Sequence, residues 1–297
     1  MKRVYKSILI LSLLSVSVEA RNFKIFVDNN GIDTNFPFEI TDDLMFELGY
    51  YSNKDSEISD FYQTNREGKK ALKVDENNLF VSLKYNIDTI ANSNIFLGVE
   101  YEKFKRDSEQ IGYYKSSSNQ LPYNSSVNLK GDKLNIISEA VYGNKSDTLR
   151  AYLRATVTPE TDLEIEQDTK IYPKLITGGE YKGEATFDLS YKIEGELKWD
   201  MLEYVDIGFG GGYSFVPYEY QFKKLNKNNG FIKITDRYDE VKKEGFVKIR
   251  LKKLFKDILP TIGYKWISLN YNYTSSNDNE LENSHDDIFF VGVETWF

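Results

Sequence analysis

His285 is the only histidine in the chain, and it stands in the run Ser284-His285-Asp286-Asp287. An imidazole beside a carboxylate is the smallest set that performs general-base chemistry. No recognisable nucleophile motif accompanies it, so the residues present argue against an enzyme. The neighbouring acids Asp278, Glu280 and Glu282 are of the type that hold Ca²⁺, but the segment lacks the EF-hand spacing and its central glycine, and neither a metal nor a cofactor is expected. The run Gly208-Phe209-Gly210-Gly211-Gly212 has the composition of a phosphate-binding loop but opens no helix. The larger store of chemistry is charge set between apolar neighbours. It comprises Glu47, Lys84, Glu100, Glu102, Glu139, Arg150, Arg154, Lys182, Glu184, Asp188, Lys192, Glu194, Glu196, Lys198, Asp206, Lys248, Arg250 and Glu294. Charges of both signs placed this way can pair with one another or line a path for polar solutes.

The elements that must carry these charges are strands. Residues alternate between the two faces of a strand with a period of two. Between residues 181 and 199, Tyr181, Gly183, Ala185, Phe187, Leu189, Tyr191, Ile193, Gly195, Leu197 and Trp199 fall on one face. Lys182, Glu184, Thr186, Asp188, Ser190, Lys192, Glu194, Glu196 and Lys198 fall on the other. No helix tolerates strict alternation for that length. Similar runs mark strands near 43–52, 78–88, 94–104, 132–143, 147–158, 204–216, 240–252, 261–274 and 287–297, ten in all. The connections between them are long and short by turns. Short ones lie near 89–93, 144–146, 200–203 and 253–260, and long ones near 53–77, 105–131, 159–180, 217–239 and 275–286. Residues 21–41 precede this series, with Phe23, Ile25 and Val27 alternating before Asn29-Asn30-Gly31. They are expected as a tail, a lumen segment or an extra hairpin. A further hairpin here or in 159–180 raises the count to twelve.

Composition sets the compartment. Lys2, Arg3 and Lys6 precede an apolar stretch, Ile8 to Leu14, and Val18-Glu19-Ala20 ends it. This reads as a signal peptide over residues 1–20, because the apolar run is too short to cross a bilayer. The signal carries a net charge of +2 within a chain of −8, leaving −10 for the remainder and arguing against nucleic acid as a partner. There are no cysteines, so the exported chain is held by its fold alone. A mean hydropathy of −0.51 does not oppose a membrane location, since a transmembrane barrel turns half its residues toward a polar interior. The 22 Tyr and 19 Phe suit aromatic girdles at two interfaces.

The chain closes on Asp287-Ile288-Phe289-Phe290-Val291-Gly292-Val293-Glu294-Thr295-Trp296-Phe297. Phe289, Val291, Val293 and Phe297 share one face and lead to a terminal aromatic. This resembles the closing strand of bacterial outer-membrane β-barrels, with Thr295 standing where that family usually has an aromatic or aliphatic residue. The resemblance implies an all-β, antiparallel up-and-down barrel over residues 42–297, and insertion by the barrel-assembly machinery. It also implies contact with outer-membrane lipid and lipopolysaccharide in a Gram-negative bacterium. Its porin-like members imply a channel for small hydrophilic solutes. Some barrels of this class are proteases of the omptin kind, but no paired-aspartate motif of theirs is present.

The inner charges leave two functions open: a narrow polar pore, or a closed barrel laced by ion pairs that acts through its surface. Lumen width decides between them. Gly208, Gly210 and Gly212 share the inward face of one strand. They are expected either to leave space there or to permit strong curvature.

Overall fold

The computed structural model describes residues 23–63, 66–90, 92–116, 119–143, 147–171, 180–200, 202–225, 231–252, 258–273 and 281–295. Residues 1–20, expected as a signal peptide, and Phe297 lie outside these residues. The strands are β1 (Lys24–Asp28), β2 (Gly31–Glu39), β3 (Leu44–Gln63), β4 (Arg66–Ile90), β5 (Ser93–Ser116), β6 (Asn119–Tyr142) and β7 (Leu149–Thr158). They continue as β8 (Thr161–Ile171), β9 (Glu180–Phe187), β10 (Ser190–Trp199), β11 (Val205–Leu225), β12 (Phe231–Leu251), β13 (Ile258–Tyr273) and β14 (Leu281–Thr295).

Every neighbouring pair is antiparallel, and β1 pairs with β14, so the sheet closes on itself. β7 and β8 run in line, as do β9 and β10, with β7 against β10 and β8 against β9. The wall therefore has twelve strands, the larger of the two expected counts. The two additional strands are β1 and β2. Residues 24–39 are neither a tail nor a lumen segment: they form the hairpin that joins β14 to β3 and removes the last free edges. At its tip the Asp28 Oδ1 accepts hydrogen bonds from the Asn30 and Gly31 amides at 2.7 and 2.6 Å. Gly31 is required there, because a Cβ would lie 1.6 Å from the Ser52 carbonyl oxygen of β3.

The end of the barrel that holds Phe23 and Thr295 is called proximal below, and the opposite end distal. The proximal connections are short. At the distal end, much of what the sequence presents as long loops is strand. β3 and β4 stay in register to Gln63↔Arg66, β5 and β6 to Ser116↔Asn119, and β11 and β12 to Leu225↔Phe231. The segments 53–77, 105–131 and 217–239 are mostly ladder because alternation continues through their polar stretches and backbone pairing needs no apolar face.

Burial is inverted relative to a water-soluble protein. Phe289 and Val291 point outward with 74% and 60% of their surface exposed, whereas Arg150, Asp206 and Arg250 point inward with 0% exposed. Leu79, Leu83, Leu97, Val99, Leu134, Ile136, Leu153, Ile193 and Ile249 extend the outer apolar surface around the wall. An apolar outside and a charged inside satisfy lipid on one face and each other on the other.

Candidate functional site: the barrel lumen

The inward charges assemble into two networks at the proximal half. In the first, Lys84 lies 3.1 Å from Glu47 and 2.9 Å from Glu139, and Arg154 lies 3.3 Å from Glu47 and 2.5 Å from Glu100. Arg154 stands on β7 and Glu47 on β3, four strands apart around the wall, so this contact crosses the lumen. Neutral side chains complete it. Ser82 donates to Glu47 at 2.8 Å, Asn135 to Glu100 at 2.9 Å, Thr158 to Asn135 at 2.7 Å, and Asn35 donates to Glu47.

The second network spans β7 and β10 to β14. Arg250 is its hub, 2.5 Å from Asp206 and paired also with Glu196 and Glu294. Arg150 meets Asp206 at 3.0 Å, and Lys248 bridges Glu196 and Glu294 at 2.9 and 3.1 Å. Buried charges of this density persist only when each is paired and hydrogen-bonded, because desolvation costs several kcal/mol per ion.

The inward glycines serve this network. A Cβ on Gly208 would stand 2.6 Å from the Glu196 carboxylate and 2.8 Å from the Arg250 guanidinium. Gly210 lies under the Phe246 ring, and Gly212 under the Glu244 side chain. Of the two expectations for Gly208, Gly210 and Gly212, the open space is not found: side chains of β10 and β12 cover the strip. The pattern recurs across the wall: Phe80 covers Gly49, Phe290 covers Gly263, and Phe26 covers Gly292, each from the directly paired position. Phe26, Phe80, Phe246 and Phe290 then lie close to the wall and line the lumen. Phe26 and Phe290 meet edge to face at 5.2 Å, and the Lys248 ammonium stands 5.0 Å from the Phe26 ring and 5.4 Å from Phe246.

The distal half differs. β7 sends Arg150, Arg154 and Thr158 inward on even positions, whereas β8 buries Leu163 and Ile165 on odd ones. Likewise β9 buries Ala185 and Phe187, and β10 buries Ser190 and Lys198. Register shows the cause. Pairing to β6 shifts by one residue between Ile136↔Val157 and Lys130↔Glu164, and pairing to β11 shifts by one between Tyr191↔Phe215 and Tyr218↔Phe187. The extra residues fall at Pro159-Glu160 and Asp188-Leu189, side by side. Proline cannot donate to the ladder, which suits such a break. The alternation of residues 181–199 is therefore not one face throughout.

Asp188 is exposed in the break and donates its amide to the Pro217 carbonyl; it does not face the lumen. Thr186, on the same parity as Lys182 and Glu184, hydrogen-bonds Asp162 on the exposed side. The side chains of Lys182 and Glu184 themselves lie outside the described set. Lys192 and Glu194, beyond the break, do line the lumen and pair at 2.6 Å.

The shift gathers an apolar cluster on the inner face: Phe104, Leu129, Leu163, Ile165, Ala185, Phe187 and Tyr218. Phe187 packs edge-on against Phe104 at 5.6 Å and Tyr218 at 4.4 Å. Lys133 caps it, 3.9 Å from the Phe104 ring. Arg106 of β5 reaches Glu240 of β12 at 2.8 Å and the Tyr218 hydroxyl at 3.2 Å, a second contact across the lumen. Sequence reasoning stopped its third strand at residue 104; the even-position series Glu100, Glu102, Phe104, Arg106 carried the missed signal.

Between the networks and this cluster runs a cavity of about 800 Å³, lined from Thr41, Asp42, Asp43 and Gly143 proximally to Asn53, Glu76 and Glu240 distally. His285 lies on β14 opposite Ser268 and is exposed, while Asp286 lines the cavity, so strand alternation separates the imidazole from that carboxylate. Asp278 and Glu280 lie outside the described residues, as does the side chain of Glu282.

The chain is built as a membrane-spanning β-barrel. Its closed antiparallel wall and inverted burial establish this. No family model and no curated protein matches the sequence. Among solved structures, the Pseudomonas putida toluene transporter TodX is similar at 11% identity and a TM-score of 0.48, over 96% of this chain and 91% of that one. A Pseudomonas aeruginosa FadL homologue matches at 9% identity and a TM-score of 0.48, over 89% and 78%. The NanC porin matches at 11% and 0.29, over 75% and 94%.

Proposed function

We propose that this barrel is a narrow channel for small hydrophilic solutes in the outer membrane of a diderm bacterium, reached by Sec-type export, with its proximal end in the periplasm. The observation that carries the reading is the cavity of about 800 Å³ whose lining extends from the proximal turn at Asp42 and Asp43 to Asn53 and Glu240. Most of the residues that line it are polar or charged, and paired charges set along a lumen select and slow solutes rather than pass them freely. The cross-lumen pairs Arg154–Glu47 and Arg106–Glu240 are the constrictions. Catalysis has no part in the reading, so His285→Ala leaves transport unchanged. Insertion depends on the barrel-assembly machinery reading the last strand, and deleting Phe297 slows it. Outer-membrane lipid and lipopolysaccharide surround the apolar band.

The test is single-channel conductance of the protein in a planar bilayer. Discrete small steps are expected. A silent bilayer from protein that runs faster unboiled than boiled on a gel would replace the channel with the second reading, a closed barrel acting through its surface. The observation favouring that second reading is the complete burial of Arg150, Asp206 and Arg250.

A further inference from the structure

We infer that the passage is cation-selective, and that the selectivity resides in unneutralised carboxylates at its two mouths; this rests on the channel reading above. Sixteen acidic and nine basic side chains line the cavity among the described residues, a balance of −7. The distribution of partners sharpens the imbalance. Eight of the nine lining cations are held in ion pairs, among them Lys84, Arg106, Arg154 and Lys248, and Lys265 of β13 is the exception. Ten of the sixteen acids are consumed in the same pairs, whereas Asp42, Asp43, Glu76 and Asp286 are in none of them.

At the proximal mouth Asp42 and Asp43, in the turn between β2 and β3, have no ion-pair partner among the described residues. At the distal end of the cavity's described lining, neither Glu76 nor Asp286 forms an ion pair among the described residues, and Glu76 accepts a hydrogen bond from the Asn78 amide at 2.9 Å. Asp28 beside them is occupied by two turn amides, which leave its charge in place. A low-dielectric wall focuses such fields into the opening and concentrates counter-ions there. The midsection does not reverse the preference, because all of its lining cations but Lys265 already face their own carboxylates at short range. A permeating cation thus meets a negative entrance from either side and a nearly neutral middle. A permeating anion meets the opposite at both ends. The solute class this favours is small cations and cationic organic molecules.

The experiment measures the reversal potential under a tenfold KCl gradient, on full-length barrel purified from membranes. A K⁺-over-Cl⁻ permeability ratio clearly above one is expected. Glu76→Gln with Asp286→Asn, and separately Asp42→Asn with Asp43→Asn, should each lower it at least about twofold near 0.1 M salt, where the screening length is roughly 10 Å. At 1 M salt that length falls to about 3 Å, and the same variants should match the parent. Lys265→Gln should move the ratio the other way. All four side chains lie at mouths outside the buried networks, and gel mobility of the unboiled protein verifies folding. Discrete conductance with a ratio at or below one, or a ratio unmoved by both pairs, overturns the cation preference and leaves the channel standing. A silent bilayer overturns the channel and the preference together.

Discussion

The inner faces of β10 to β14 and of β8 and β9 belong to one wall, yet one is held by ion pairs and the other by aromatic and aliphatic contacts. Arg250 sits among three carboxylates; Phe187 sits between Phe104 and Tyr218. The difference comes from a single residue of register in each of two adjacent strands. Because side chains alternate with a period of two, one extra residue exchanges the faces of everything beyond it. Placing the two breaks side by side preserves the pairing of β7 with β10 and of β8 with β9, so only the outer neighbours β6 and β11 accommodate the shift. A barrel can thus change the chemistry of its lumen part-way along without changing its composition.

The largest effect should follow from erasing the offset. Deleting Glu160 and Asp188 together would turn Leu163, Ile165, Ala185 and Phe187 toward the outside and bring Glu164 inward. Loss of the fast-migrating folded band on an unboiled gel is the expected outcome; a normal band would show that the breaks are incidental to folding. Next comes Arg250→Ala, which leaves Asp206, Glu196 and Glu294 without their shared cation. Removing one partner of a buried pair costs about 3–5 kcal/mol, read as a lowered denaturant midpoint in detergent or lipid. Arg250→Met with Asp206→Leu should recover part of that loss, since a packed apolar pair can replace a buried ionic one.

Phe187→Ala tests the other region. It removes a fully buried ring and should cost about 3 kcal/mol by the same measurement, independent of salt, whereas the cost of Lys192→Ala should shrink as salt rises. Gly208→Ala is smaller. Its Cβ would push on the Glu196 carboxylate from 2.6 Å and the Arg250 guanidinium from 2.8 Å, an overpacking worth about 1–3 kcal/mol, and the loss should shrink in the Arg250→Met background. Thr158→Val removes one hydrogen bond to Asn135 and should cost about 1 kcal/mol.

Much of this was legible in the residues. Glu47, Lys84, Glu100, Glu139, Arg150, Arg154, Lys248 and Arg250 announce their inward placement by their apolar neighbours, and the alternation of 204–216 places Gly208 opposite Phe209. What those inward residues touch was not legible. Arg154 and Glu47 are 107 positions apart, and nothing local marks them as partners. The use of Gly208 as a seat for Arg250 likewise depends on the register that sets Arg250 opposite Asp206, one inward position along from Gly208. The hairpin at 24–39 stood as only one of three alternatives because β1 has only five residues, too few for a periodic signal to stand out beside the Asn29-Asn30-Gly31 turn.

The sequence by itself determined the material of the molecule: an alternating, cysteine-free, acidic chain whose apolar and charged residues separate cleanly onto two faces of strands. Period two is a local property, fixed by backbone geometry at each residue, so it can be read without knowing any partner. Only the tertiary structure decided how many strands close the wall, where the register slips, and which charges meet across the lumen. Those are long-range pairings. A slip costs nothing visible in the local pattern, and an ion pair between strands four apart exists only once the sheet has curved around to bring them together.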